Sequence, residues 1–231
     1  MLRLVAVAPC MVLVPGPHIL NGAFDLLALR IPLAASRLAF AVLVLFAIGV
    51  GLLAGLALAG GELPAFEPGR SVAVWVDVPA AAIVAMCYGV FYSMPVRMLV
   101  WPAAAGAVAH AAHWWAMATF GLSAATATGV AALVAATILL PAVRRYRLPF
   151  AGVGFASVVS LLPGVFVFRL MSGAVQIAAA GSDIPPRLLD AVLADAVTAF
   201  AIVLAMALGL AIPKQLYETL SPGASGGRAP T

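Results

Sequence analysis

The stretch "LVPGPHILNG", Leu13 to Gly22, sets two prolines, two glycines, a histidine and an asparagine near the start of an otherwise apolar chain. Of 231 residues, 65% are hydrophobic and 9% charged, and mean hydropathy is +1.16. A soluble domain of this size has no use for so much apolar surface, so lipid must be part of the solvent. A bilayer offers no partner to an unpaired backbone group, and a helix needs about 20 apolar residues to cross it. The expected fold is therefore all-α, a polytopic membrane protein with seven transmembrane helices. Its apolar segments run over about 4–29, 33–60, 72–91, 98–119, 122–142, 149–180 and 187–212. The wealth of Ala, Gly, Val and Leu suits close helix packing. "LVPGPHILNG" interrupts the first of these segments.

The formal charge of +4 does not point to nucleic acid, because the basic residues stand singly or in short loops. Sorted by loop, Arg30, Arg37, Arg97, Arg144, Arg145, Arg147 and Lys214 fall on one side, and Arg3, Arg70 and Arg187 on the other. The positive-inside rule places the richer side, and the C-terminus, in the cytoplasm. Met1 is then expected outside. Arg3 precedes an apolar run with Ala6-Val7-Ala8, but the run stops at Pro9 and no soluble domain follows, so a cleaved signal peptide is not expected. Cys10 and Cys87 read as packing residues, and the tail 221–231 as disordered. No P-loop, metal-protease helix or nucleophile elbow is visible, and no enzyme is expected. The glycines of "GVGFAS", Gly152 to Ser157, read as close-packing positions.

The opening motif has a counterpart. "LVPG" at Leu13–Gly16 recurs as "LLPG" at Leu161–Gly164; "FAI" at Phe46 recurs at Phe200, and "GLA" at Gly55 recurs at Gly209. The first Pro-Gly segment runs from outside to inside and the second, entered from the Arg144–Arg147 loop, from inside to outside. Inverted repeats with helices broken by Gly or Pro are a plan of secondary transporters. Residues 1–62 are the end of a first repeat, two helices with the first broken at Pro15-Gly16. Residues 71–214 are a second repeat of five helices, the fourth broken at Pro163-Gly164. Met1 aligns with Pro149, so three helices are expected to be missing upstream.

"FYSMPVRMLVWPAAAGAVAH", "LPFAGVGFASVVSLLPGVFVFRLMSGAVQIA" and the closing "LGLAIP" resemble the C-terminal half of the threonine/serine exporter family (ThrE). "LVPGPHILNG" with "RLAFAVLVLFAIGVGLLAG" resembles the end of that family's N-terminal half. The resemblance covers about 10–215 and implies a ten-helix inverted five-helix repeat, of which this chain is an incomplete version. It implies efflux of threonine and serine across the bacterial inner membrane, driven by the proton-motive force without another cofactor. Small dicarboxylates such as succinate are the alternative substrate. A non-transporting subunit or truncated remnant, needing a partner chain or a homo-oligomer, is the alternative role. A misplaced start codon or truncated gene is the expected origin of the missing helices. The lipid bilayer and a small-molecule substrate are the partners; nucleic acid is not.

Candidate pathway residues cluster around the breaks. Proline removes a backbone donor and obstructs the preceding turn, so Pro15-Gly16 and Pro163-Gly164 leave backbone groups for a wet cavity or a ligand. A zwitterion could place its carboxylate at a positive helix start. His18, Asn21 and Asp25 step by three and four along one helix face; Arg169, Ser172 and Gln176 follow the second break. Arg169 is expected to meet a substrate carboxylate, or Asp25 or Asp195. A proton-coupling group must change protonation, which points to His18, His110, His113, Asp25 or Asp195. His110 and His113, followed by Trp114-Trp115, read first as anchors at the headgroup level, with no strong metal signal. Asp77 reads as interfacial and Asp190 as a complement to the helix dipole.

Overall fold

The computed structural model describes residues 15–60 and 72–220. Expectations for residues 4–14, for Cys10, for the side of Met1 and for the 221–231 tail lie outside the described residues. Eight α-helices make up the described chain: α1 Gly16–Leu27, α2 Ile31–Leu58, α3 Val74–Phe91, α4 Val100–Phe120, α5 Ala124–Tyr146, α6 Phe150–Val158, α7 Gly164–Ala180 and α8 Pro186–Leu220. Short 3-10 turns at Val96–Met98 and Val159–Leu161 precede α4 and extend α6.

Four of these helices are long and apolar enough to cross a membrane, or five if α6 and α7 make one broken span. The four are α2, α3, α5 and α8. Helix α4 has the length, at 21 residues, but Pro102, His110, His113 and three tryptophans dilute its apolar character. Helix α1 has only 12 described residues.

Large side chains lie outside and small ones inside. Leu43, Phe46, Trp75, Ile83, Val197 and Phe200 are each more than half exposed, whereas Ala34, Ala105, Ala109, Ala127, Ala131, Ala132, Ala135 and Ala136 are wholly buried. Water would not tolerate the first set over so much surface. Lipid does, and small residues let helix backbones approach. Cys87, expected to be a packing residue, is exposed on α3 and belongs to that outer surface.

The chain divides into two compact units that cut across the sequence repeats. Unit 1 holds the described residues up to Ala73 together with Leu161–Leu204, so both Pro-Gly helices fall in one unit, where each packs against α2. Within it α1 returns onto α2 through a turn at Ala28–Arg30, where Leu29 takes a positive φ of 58° and the Arg30 amide donates to the Asp25 carbonyl at 2.8 Å. Helix α2 passes α7 so closely at Gly49 that a Cβ there would lie 1.9 Å from Met171 Cε.

Unit 2 holds Val74–Ser160 and the described residues from Ala205 onward. Here α4 packs against α3, α5 and α6. At Gly106 an added Cβ would lie 3.1 Å from both Ala85 Cβ on α3 and the Ser157 carbonyl on α6, and this bare backbone lets three helices converge. Gly121, with φ 60°, ends α4, and the Ser123 Oγ accepts from the Thr126 amide at 3.3 Å to start α5. Tyr88, Phe91, Tyr92 and Phe155 stack edge to face across α3 and α6.

The basic residues collect at one end of unit 2. Arg144 lies 4.0 Å over the Tyr217 ring of α8, Lys214 lies 5.8 Å from the Phe150 ring, and Trp101, just after Arg97, sits 6.2 Å from Tyr146.

Candidate functional site

The two Pro-Gly motifs do the same local work. Pro15 caps α1 with φ −78° and ψ 53°; Pro163 caps α7 with φ −77° and ψ 41°. Each proline lacks the donor that would continue a preceding helix, and its carbonyl accepts the first amide bonds of the next. The Pro15 carbonyl receives the His18 and Ile19 amides at 3.0 and 3.1 Å; the Pro163 carbonyl receives the Val167 amide at 3.0 Å. Neither helix start has a side-chain cap.

Each Pro-Gly helix is also tied to the helix that follows it by an ion pair, with the charges reversed. On α1, Asp25 is 6% exposed and accepts a hydrogen bond from Arg37 Nη1 of α2. On α7, Arg169 donates to Asp195 of α8 through two bonds, Nε to Oδ2 at 2.9 Å and Nη2 to Oδ1 at 2.6 Å. Two parallel charge-assisted bonds to a carboxylate that is 3% exposed make this a directed pair. Arg30 stands further from Asp25, at 3.9 Å, and is largely exposed.

Unit 1 carries an open, groove-like cavity of about 330 Å³, at the lower end of the ~300–1,000 Å³ usual for small-molecule sites. Its walls are apolar, with Ile19, Leu45, Gly49, Met171 and Phe200 among them, and the start of α7 at Pro163 and Gly164 opens on it.

The expected pathway residues divide accordingly. Pro163 and Gly164 line the cavity; Pro15, Gly16, His18, Asn21, Asp25, Arg169, Gln176 and Asp195 do not. His18 is exposed, with its ring 4.7 Å from Phe40. Asn21 is half-buried. Ser172 is fully buried, and its Oγ accepts from Gln176 Nε2 at 3.4 Å. Asp190 is exposed. Arg169 pairs with Asp195, one of the partners expected for it. Arg37, sorted with the loop charges, instead lies within α2 and holds Asp25. Its position twelve residues past an aspartate gave no local signal, because the hairpin between α1 and α2 creates the pairing.

A second polar site lies in unit 2. His110 is 6% exposed, which overturns its reading as a headgroup anchor. Its Nδ1 is 2.8 Å from Asp77 Oδ2, and its Nε2 is 2.7 Å from Ser160 Oγ. Asp77 sits in the first turn of α3, where an acid suits the helix dipole, and keeps 33% of its side chain exposed. Ser160 is exposed on the 3-10 turn after α6. His113, one turn along α4, is half-buried. Trp114 and Trp115 are 43% and 54% exposed, on the side expected to meet the surroundings. Among the described residues no group of three His, Cys, Asp or Glu is placed to hold a metal ion.

Comparison with known families gives two matches. A model described as Threonine/Serine exporter, ThrE, matches residues 77–216. A second threonine/serine exporter model matches residues 2–59. No solved structure matches the chain.

Proposed function

The chain belongs to the threonine/serine exporter family, and from that premise we propose that it exports threonine and serine across the bacterial inner membrane as a proton-coupled antiporter. The observation that carries this reading is the uncapped start of α7 opening on the apolar cavity of unit 1. The positive end of a helix dipole attracts the substrate carboxylate. Apolar walls suit the methyl group of threonine. Arg37 and Arg169 engage Asp25 and Asp195, so a dicarboxylate drawn to either guanidinium would have to compete with an internal carboxylate.

The seven-segment plan with an inverted repeat belongs to the same proposal. It is supported by the near-identical backbone of Pro15 and Pro163, by the glycine that follows each, and by the reversed ion pairs to the next helix. The third sequence match gives no such support: Gly209 is tightly packed, while a Cβ at Gly55 meets nothing within 4 Å among the described residues. A cytoplasmic C-terminus is supported by the gathering of Arg97, Arg144 and Lys214 at one end of unit 2.

Cells carrying the gene and fed a threonine-containing dipeptide should hold less internal threonine than cells lacking it. Equal internal threonine together with raised succinate release would reject the amino-acid substrate in favour of a dicarboxylate.

A further inference from the structure

We propose that Asp77, His110 and Ser160 form the proton-carrying site of the exporter, with the buried imidazole taking up and releasing the coupling proton. The inference rests on the efflux reading above and names the group that reading lacks.

A coupling group must be able to change charge, must be shielded enough for that change to matter to its neighbours, and must touch water at some point. In unit 2 these demands are divided among three residues. His110 is shielded at 6% exposure, while Asp77 on one side and Ser160 on the other remain accessible. The ring is held at both nitrogens, at 2.8 Å and 2.7 Å, so it cannot turn away from either partner without losing a bond. Gly106, one turn before His110, permits the approach of α3 and α6 that sets both distances.

The chemistry follows from the donor and acceptor inventory. An ionised Asp77 only accepts, so Nδ1 carries a proton; in the neutral ring Nε2 then accepts from the Ser160 hydroxyl. When a proton arrives at Nε2, that nitrogen becomes a donor and the Ser160 oxygen must turn from donor to acceptor. The His110 and Asp77 contact becomes an ion pair. Loss of the proton reverses both changes, and no covalent bond to the substrate is made or broken. Asp77 on α3, 2.8 Å away, and His113, one turn along α4, are titratable groups beside the ring. Ser160 precedes Pro163 by three residues in the chain. On the orientation proposed above, Asp77 begins a helix entered from outside, the side from which an antiporter draws protons.

The test uses the full-length protein in liposomes, with radiolabelled threonine, in two arms. One arm measures accumulation driven by a pH gradient; the other measures exchange of internal for external threonine at equal pH. His110→Gln should lower gradient-driven accumulation at least tenfold and leave exchange within twofold of the wild type. Gradient-driven accumulation that survives in His110→Gln overturns the relay. If His110→Gln loses both activities, Ser160→Ala decides, since it removes one hydroxyl from an exposed residue and leaves the imidazole in place. A several-fold loss of coupling with intact exchange in Ser160→Ala supports the relay, and unchanged coupling overturns it. Covalent labelling of Ser160 by a fluorophosphonate would show a nucleophile in its place and also overturn the assignment. A wild-type protein silent in both arms counts against threonine export itself, a failure distinct from a coupled wild type matched by a coupled His110→Gln.

Discussion

Breaking the Arg169 and Asp195 pair tests whether the second Pro-Gly helix is held by a desolvated ion pair. Asp195 is 3% exposed and receives two hydrogen bonds, at 2.6 and 2.9 Å, from one guanidinium. In Arg169→Met the carboxylate stays buried without them, a change that costs about 3–5 kcal/mol where it has been measured. Because the Arg169 side chain keeps 20% of its surface exposed, the lower end of that range applies, about 3 kcal/mol. At about 2–4 °C per kcal/mol for a chain of this length, the midpoint should fall by about 6–12 °C. Asp195→Leu should also lower the midpoint, because it removes the carboxylate that accepts two of the guanidinium's hydrogen bonds. The double variant replaces a buried pair by apolar groups and should recover to within about 1 kcal/mol of the parent. Detergent-solubilised protein, heated in steps and followed by fluorescence-detected size exclusion, gives all four midpoints. A double variant that loses the sum of the two single losses would refute the pairing. The same variant in the dipeptide assay separates anchoring from transport: the pathway reading expects a stable protein that no longer lowers internal threonine.

Three further outcomes follow from the packing. At Gly209 a Cβ would lie 2.4 Å from the Gly129 carbonyl and 2.8 Å from Ala132 Cβ, so Gly209→Ala should cost about 1–3 kcal/mol in the heating assay, whereas Gly55→Ala, which meets nothing within 4 Å among the described residues, should cost nothing. Ser123→Ala removes the bond that caps α5 and should lower stability by about 0.5–2 kcal/mol, with Ser123→Asp restoring it. A green fluorescent protein fused to the C-terminus should fluoresce and alkaline phosphatase fused there should be inactive; the opposite pattern would overturn the orientation.

Much of the fold was legible in the chain because a bilayer imposes few solutions. Apolar runs of the right length must become helices, and α2, α3, α5 and α8 lie where those runs are. The two Pro-Gly motifs were legible as helix starts, since proline is tolerated where a helix begins, and both begin helices with nearly the same capping dihedrals. Arg169 was expected to seek Asp195 among other acids, because a buried charge requires a partner. Which partner it takes depends on how α7 lies against α8, and spacing along one chain carries no such information.

Composition, local periodicity and backbone chemistry therefore determined the class, most helices, the two Pro-Gly helix starts and the family. The tertiary structure alone decided that both Pro-Gly helices belong to one compact unit, that Arg37 serves Asp25, and that His110 is an interior group between Asp77 and Ser160. Those residues are 12, 33 and 50 positions apart in the chain. Helical patterning extends over a few turns, so contacts at such separations arise only when helices pack, and the small residues that permit the packing give no sign of which partner they will meet.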